Sequence, residues 1–71
     1  MEKKKIIEKL AELHLELIDA LVYYTDGDGE EWVDVYSYIR ERSKPWITVC
    51  VTADSDIAMV HDVVRAVMKN L

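Results

Sequence analysis

Residues 25–32 read TDGDGEEW, from Thr25 to Trp32. Both glycines of the chain, Gly27 and Gly29, are here, among four acids. The stretch is either a metal loop or a turn. A calcium loop of the EF-hand kind places acids at its first, third and fifth positions, glycine at the sixth and glutamate at the twelfth. Counting from Asp26 puts Asp28 and Glu30 in register, but Glu31 stands at the sixth position and Ser37 at the twelfth. The sharp turn and the bidentate ligand are both missing. A turn that uses Gly and Asp for their backbone freedom is the reading adopted.

That turn closes a helix on its N-terminal side. Ile6, Leu10, Leu13, Leu17 and Leu21 recur at helical spacing, Ile7, Ile18 and Val22 widen the stripe, and Glu8, Lys9, Glu12, Glu16 and Asp19 fill the remaining face. The pattern predicts a helix over 2–24, with Gly27 in the left-handed position that ends it. The apolar arc is wider than one packing surface needs.

On its C-terminal side the composition changes. Residues 32–39, WVDVYSYI, and 46–53, WITVCVTA, are dense in aromatic and β-branched types and read as strands. ERSKP between them supplies a five-residue hairpin loop. Pairing Ile39 with Ile47 puts Val33, Val35, Ile39, Ile47, Val49 and Val51 on one face, because side chains alternate. Trp32, Tyr36, Tyr38, Trp46, Thr48, Cys50 and Thr52 fall on the other. A rival reading makes 30–42 a capped helix, from Glu30 and Glu31 to Arg40 and Arg42 before Pro45; the density of strand formers decides against it.

Residues 55–70 read as a second helix, N-capped by Asp54 or Ser55. Its inner stripe is expected to be Ile57, Val60, Val64, Val67, Met68 and Leu71, with Met59, Val63 and Ala66 as a weaker flank. The predicted class is α+β in the order α-β-β-α, a single domain over 1–71, with both helices on one face of an antiparallel hairpin. Nothing is left to cover Trp32, Tyr36, Tyr38 and Trp46. Seventy-one residues bury only about 60% of the unfolded surface, and a lone hairpin has two open edges. Homodimerisation is therefore the expected completion of the fold, either by stacking of those four aromatics or by edge strands joining two hairpins into a four-stranded sheet.

The net charge of −5 argues against direct nucleic-acid binding. No segment reaches the roughly 20 apolar residues of a membrane span, and no signal peptide is read at the start. The single cysteine, Cys50, points to a reducing, cytoplasmic setting. A 51% hydrophobic content argues against a disordered acidic tail.

The expected hairpin brings Asp54 and Asp56 beside Glu30, Glu31 and Asp34. With Asp26 and Asp28 they form an acidic pole of seven carboxylates with no base among them. Lys3, Lys4, Lys5, Lys9, Arg40, Arg42, Lys44 and Lys69 are assigned to the opposite pole. Such a pole suits a basic protein partner, and its charges imitate nucleic-acid phosphates, so an inhibitor or decoy is the most specific functional reading. A scaffold without a native ligand, such as a designed fold, is the second reading. Against it stand a lone cysteine, two apolar-face histidines and a valine-rich helix, which are less idealised than most designs.

A calcium or zinc protein, or a Cys/His enzyme built from Cys50, His14 and His61, is the third reading. Cysteine and histidine form nucleophilic pairs and zinc sites. The spacing here matches no zinc signature, and Cys50 faces away from the helices. The expectation is therefore no catalytic residue, no cofactor and no metal.

Overall fold

The computed structural model describes residues 2–13 and 17–71. Within them the order is α1 (Lys3–Glu12), β1 (Ile18–Thr25), β2 (Glu31–Ser37), β3 (Ile47–Cys50) and α2 (Asp56–Lys69). The α+β class holds, and the order gains a strand. The sheet is an antiparallel meander, β1-β2-β3, with β2 in the centre.

The helix expected over 2–24 ends at Glu12, and 18–25 is a strand. A β-bulge explains why helical spacing appears there. The register is Ile18 opposite Ser37 and Ala20 opposite Tyr36, so Asp19 is extra. Ile18, Leu21 and Tyr23 consequently share the inner face, and the first two are three residues apart. A strand with an inserted residue thus imitates the i, i+3 spacing of a helix.

TDGDGEEW joins β1 to β2 instead of ending a helix. Asp26 N–H donates to the Glu30 carbonyl at 2.9 Å, and Gly29 N–H to the Asp26 carbonyl at 3.2 Å. Gly29 has φ +83°. This is the three-residue hairpin loop with a left-handed glycine at its third position. The left-handed role predicted for Gly27 therefore belongs to Gly29, because a hairpin needs it at the bulge and no helix ends here.

The β2–β3 register pairs Val35 with Ile47 and Val33 with Val49, not Ile39 with Ile47. The slip is four residues. An even slip keeps every side chain on its face, so Val33, Val35, Ile47 and Val49 still look inward. It does lengthen the loop to 38–46 and expels Ile39, which is exposed. The rival helix over 30–42 is absent, because 31–37 is strand.

The core is Ile7, Ile18, Val33, Val35, Val51, Met59 and Val63. Helix α1 lies over β1 and beside α2, and α2 packs on β3. Ser55 is the N-cap of α2, its Oγ accepting from Ala58 N–H at 3.2 Å. At the other end Asn70 Nδ2 donates to the Ala66 carbonyl at 2.7 Å. Met59 and Val63 are the buried residues of α2. The stripe expected to face inward faces largely outward: Ile57, Val64, Met68 and Leu71 are exposed. Val60 and Val67 of that stripe are half-buried, Val67 against the core, so the inner face has turned toward Met59 and Val63.

Candidate functional site

The acidic pole assembles only in part, and its carboxylates have internal work. Asp26 Oδ1 accepts the backbone N–H of Asp28 at 2.9 Å and of Glu30 at 3.0 Å. Its Oδ2 accepts Trp32 Nε1–H at 2.9 Å. The indole bond, followed by the two amide bonds, holds the Asp26 carboxyl below the usual carboxylate range. Glu30 accepts from Thr52 Oγ1 at 2.6 Å, and the same hydroxyl accepts Glu31 N–H at 2.8 Å. The end of the last strand does lie beside Glu30 and Glu31, as the hairpin reading expects.

Glu31 accepts hydrogen bonds from the Tyr23 hydroxyl and from Lys3 Nζ, the latter at 3.0 Å. These two donors, Tyr23 first, lower the Glu31 pKa, while the bond to Glu31 raises that of Tyr23. Lys3 also donates to the Val51 carbonyl at 2.7 Å. A base therefore sits inside the pole that was expected to have none. The shortened α1 is the cause. Its N-terminus lies at the loop end of the β1–β2 hairpin, bringing Lys3 and Lys4 close to Glu31 and Asp56. The same contacts relieve the unfavourable placement of lysine at a helix N-terminus.

Asp34 sits in the middle of the outer sheet face, accepting from Thr48 Oγ1 at 2.8 Å and the Tyr24 hydroxyl at 3.2 Å. Burial, with the Asp34 charge behind it, raises the Tyr24 pKa. Asp54 meets Asp62 of α2, and a hydrogen bond shared with that carboxyl, then burial, raises the Asp54 pKa. Asp54 Oδ2 is enclosed without a hydrogen-bond partner among the described residues. Asp28 is exposed in the loop, and Asp56 lies in the first turn of α2.

The four aromatics named for self-association are dispersed. Trp32 and Tyr36 are half-buried on the outer face, with Trp32 beside Tyr24 and Cys50. Tyr38 lies beyond the strand, with the Arg42 guanidinium 5.2 Å from its ring centroid. Trp46 packs against the core cluster, with Arg40 5.8 Å from its centroid. Arg42 also reaches Asp19 at 3.7 Å, which pins the long loop to the bulge. Cys50 is exposed on the outer face, 3.5 Å from Thr52 Oγ1 and 3.9 Å from Glu30. His61 is on α2, 3.8 Å from Asp62, on the opposite side of the sheet. His14 lies outside the described residues. Among the described residues no group of three or more His, Cys, Asp or Glu gathers to hold a metal ion, and no helix is long and apolar enough to cross a membrane.

What the structure does bring together is apolar. An open groove of about 300 Å³ runs between Leu10 of α1, Leu17, Ile18 and Leu21 of β1 and its approach, and Val63, Val64, Val67, Met68 and Leu71 of α2. A second, shallower groove is lined by Ile6, Ile57, Val60, His61 and Val64, with Ser55 and Asp56 at its end. Val64 borders both. Ile57 is 83% exposed, Met68 67% and Leu71 65%. The backbone of Leu17 has φ +73°, a conformation a leucine rarely adopts. Sequence reasoning named these α2 residues but assigned them to the core. The signal was present as two apolar stripes on one helix, only one of which the sheet can cover. Comparison with protein-family models, with curated proteins and with solved structures finds no match for the chain.

Proposed function

We propose that this chain is a small acidic interaction module that works by docking another polypeptide on the apolar face of α1 and α2. The observation that carries the reading is the 83% exposure of Ile57 on the same stripe as Val64, Met68 and Leu71. Single exposed apolar residues are ordinary, whereas a contiguous stripe rimmed by polar groups marks a contact surface. The grooves flanking Val64 supply the relief that a partner's side chains fill. The acidic pole takes second place as a partner surface. Asp26, Glu30, Glu31 and Asp34 each have internal hydrogen-bond partners, so a basic partner would compete with the fold for them. A Cys–His reaction receives no support, since Cys50 and His61 lie on opposite sides of the sheet.

The test uses an apolar fluorescent dye and the double variant Ile57→Asp/Met68→Glu. Both positions are exposed, so the helical circular dichroism should not change. Dilute wild type should bind the dye, and the variant should lose most of that binding. Equal dye binding by the two proteins would sink the reading.

A further inference from the structure

We infer that the occupant of this face is a second copy of the chain, docked by antiparallel pairing of α2 with its mate about a two-fold axis at Val64. The inference rests on the docking reading above and adds the partner.

The first argument is the symmetry of the stripe. Ile57 stands seven residues before Val64, about 10.5 Å along the helix at 1.5 Å per residue and on the same side of it. Leu71 follows seven residues after Val64, just past the helix end at Lys69 and its C-cap Asn70, and lines the groove beside Val64. One groove beside Val64 is edged by Ile57 and the other by Met68 and Leu71. A two-fold axis at Val64 therefore sets Ile57 of each copy against Leu71 of the other, and both contacts form together. That reciprocity is what a closed dimer requires of a surface.

The second argument is charge. The acids of α2, Asp56 and Asp62, lie in its N-terminal half, and its bases, Arg65 and Lys69, in its C-terminal half. Antiparallel pairing lays the acidic half over the basic half and opposes the two helix dipoles. Parallel pairing lays acid on acid. A uniformly basic partner helix would meet Arg65 and Lys69.

The third argument is area, which fixes the strength. At roughly 100 Å² per buried aliphatic side chain, following from 1.5–3 kcal/mol at about 25 cal/mol per Å², Ile57, Val64, Met68 and Leu71 supply about 250 Å² of apolar centre per copy. A stable interface buries about 800 Å² per partner. The dimer is consequently weak and reversible.

Sedimentation equilibrium of the full chain under reducing conditions should show mass rising from 8.3 kDa toward twice that value with concentration. Ile57→Asp should weaken the association at least tenfold. In a Cys50→Ser background, Val64→Cys should cross-link to itself under mild oxidation. Ile57→Cys and Leu71→Cys should cross-link efficiently only when mixed. A constant 8.3 kDa mass up to millimolar concentration, with dye still bound to the face, would overturn the second copy as occupant and leave the docking reading standing. Loss of both would remove both. A dimer that survives Ile57→Asp, or that cross-links through Tyr36→Cys instead of Val64→Cys, would show that the sheet face pairs and would overturn the proposal.

Discussion

Replacing Met59 and Ile57 by alanine, one at a time, measures which way α2 faces. Met59 is 0% exposed and Ile57 83%. Met59→Ala deletes three heavy atoms from the core. At about 0.8 kcal/mol per methylene-sized group the lost transfer energy is roughly 2.4 kcal/mol. An unrelaxed void adds about 1 kcal/mol more at roughly 24 cal/mol per Å³, and alanine's better helix propensity returns a few tenths. The net loss is about 3 kcal/mol. Ile57→Ala gives up only the covered sixth of its side chain, roughly 0.4 kcal/mol, and gains about as much in propensity. Its net effect on the monomer is near zero. At about 0.05–0.15 kcal/mol per residue, 71 residues give a total stability of roughly 4–11 kcal/mol, so the first variant is severely weakened. The assay is urea unfolding followed by far-ultraviolet circular dichroism at low micromolar protein, below association. With a slope near 1 kcal/mol per molar, Met59→Ala should move the midpoint by about 3 M and Ile57→Ala hardly at all. A large loss at Ile57 with a small one at Met59 would rotate the helix by about half a turn and remove the docking face.

In the first hairpin, Gly29→Ala should cost about 1 kcal/mol because φ is +83° there. Gly27→Ala, with open space around its position and no left-handed φ, should be neutral or gain up to about 1 kcal/mol by restricting the unfolded chain; equal losses at both in urea unfolding would refute the turn assignment. Asp54→Asn should raise the melting temperature at pH 7. The Asp54 pKa is raised by folding, so its ionisation opposes the fold above that pKa, and the advantage of asparagine should fade as pH falls toward the ordinary carboxylate range. Asp26 and Glu31 work in the opposite sense. Their pKa values are lowered, so their contribution is present above the ordinary range and is lost as pH falls through the lowered values; Asp26→Asn should flatten the acid limb of a melting-temperature profile and shift Trp32 fluorescence. Calcium should leave the melting temperature unchanged, because both Asp26 oxygens are occupied by N–H donors; a rise at sub-millimolar calcium that Asp26→Asn abolishes would overturn this account of the loop.

The α+β class, the cap and charge polarity of α2, and the two later strands with their faces were legible in the residues. Density of Val, Ile, Trp and Tyr marked β2 and β3, and Ser55 announced the start of α2, because these are local preferences that act over a few residues. The inner face survived a wrong register for a geometric reason: alternation has period two, and the slip was four. What tertiary structure alone decided falls in three places. The bulge at Asp19 set Ile18 and Leu21 three apart on one face of a strand, a spacing that a single chain segment shares with a helix, and only pairing with β2 distinguishes them. Shortening α1 carried Lys3 to Glu31 and Val51, turning an acidic pole into a set of internal bonds. In α2 two stripes of similar apolarity compete for one sheet. Periodicity fixes the angle between them but not which one is buried; packing on the sheet buries Met59 and Val63. The candidate site is the stripe left over, composed of residues that a sequence reading assigns to the core because, seen along the chain, an apolar contact with one's own sheet and an apolar contact with another molecule have the same signature.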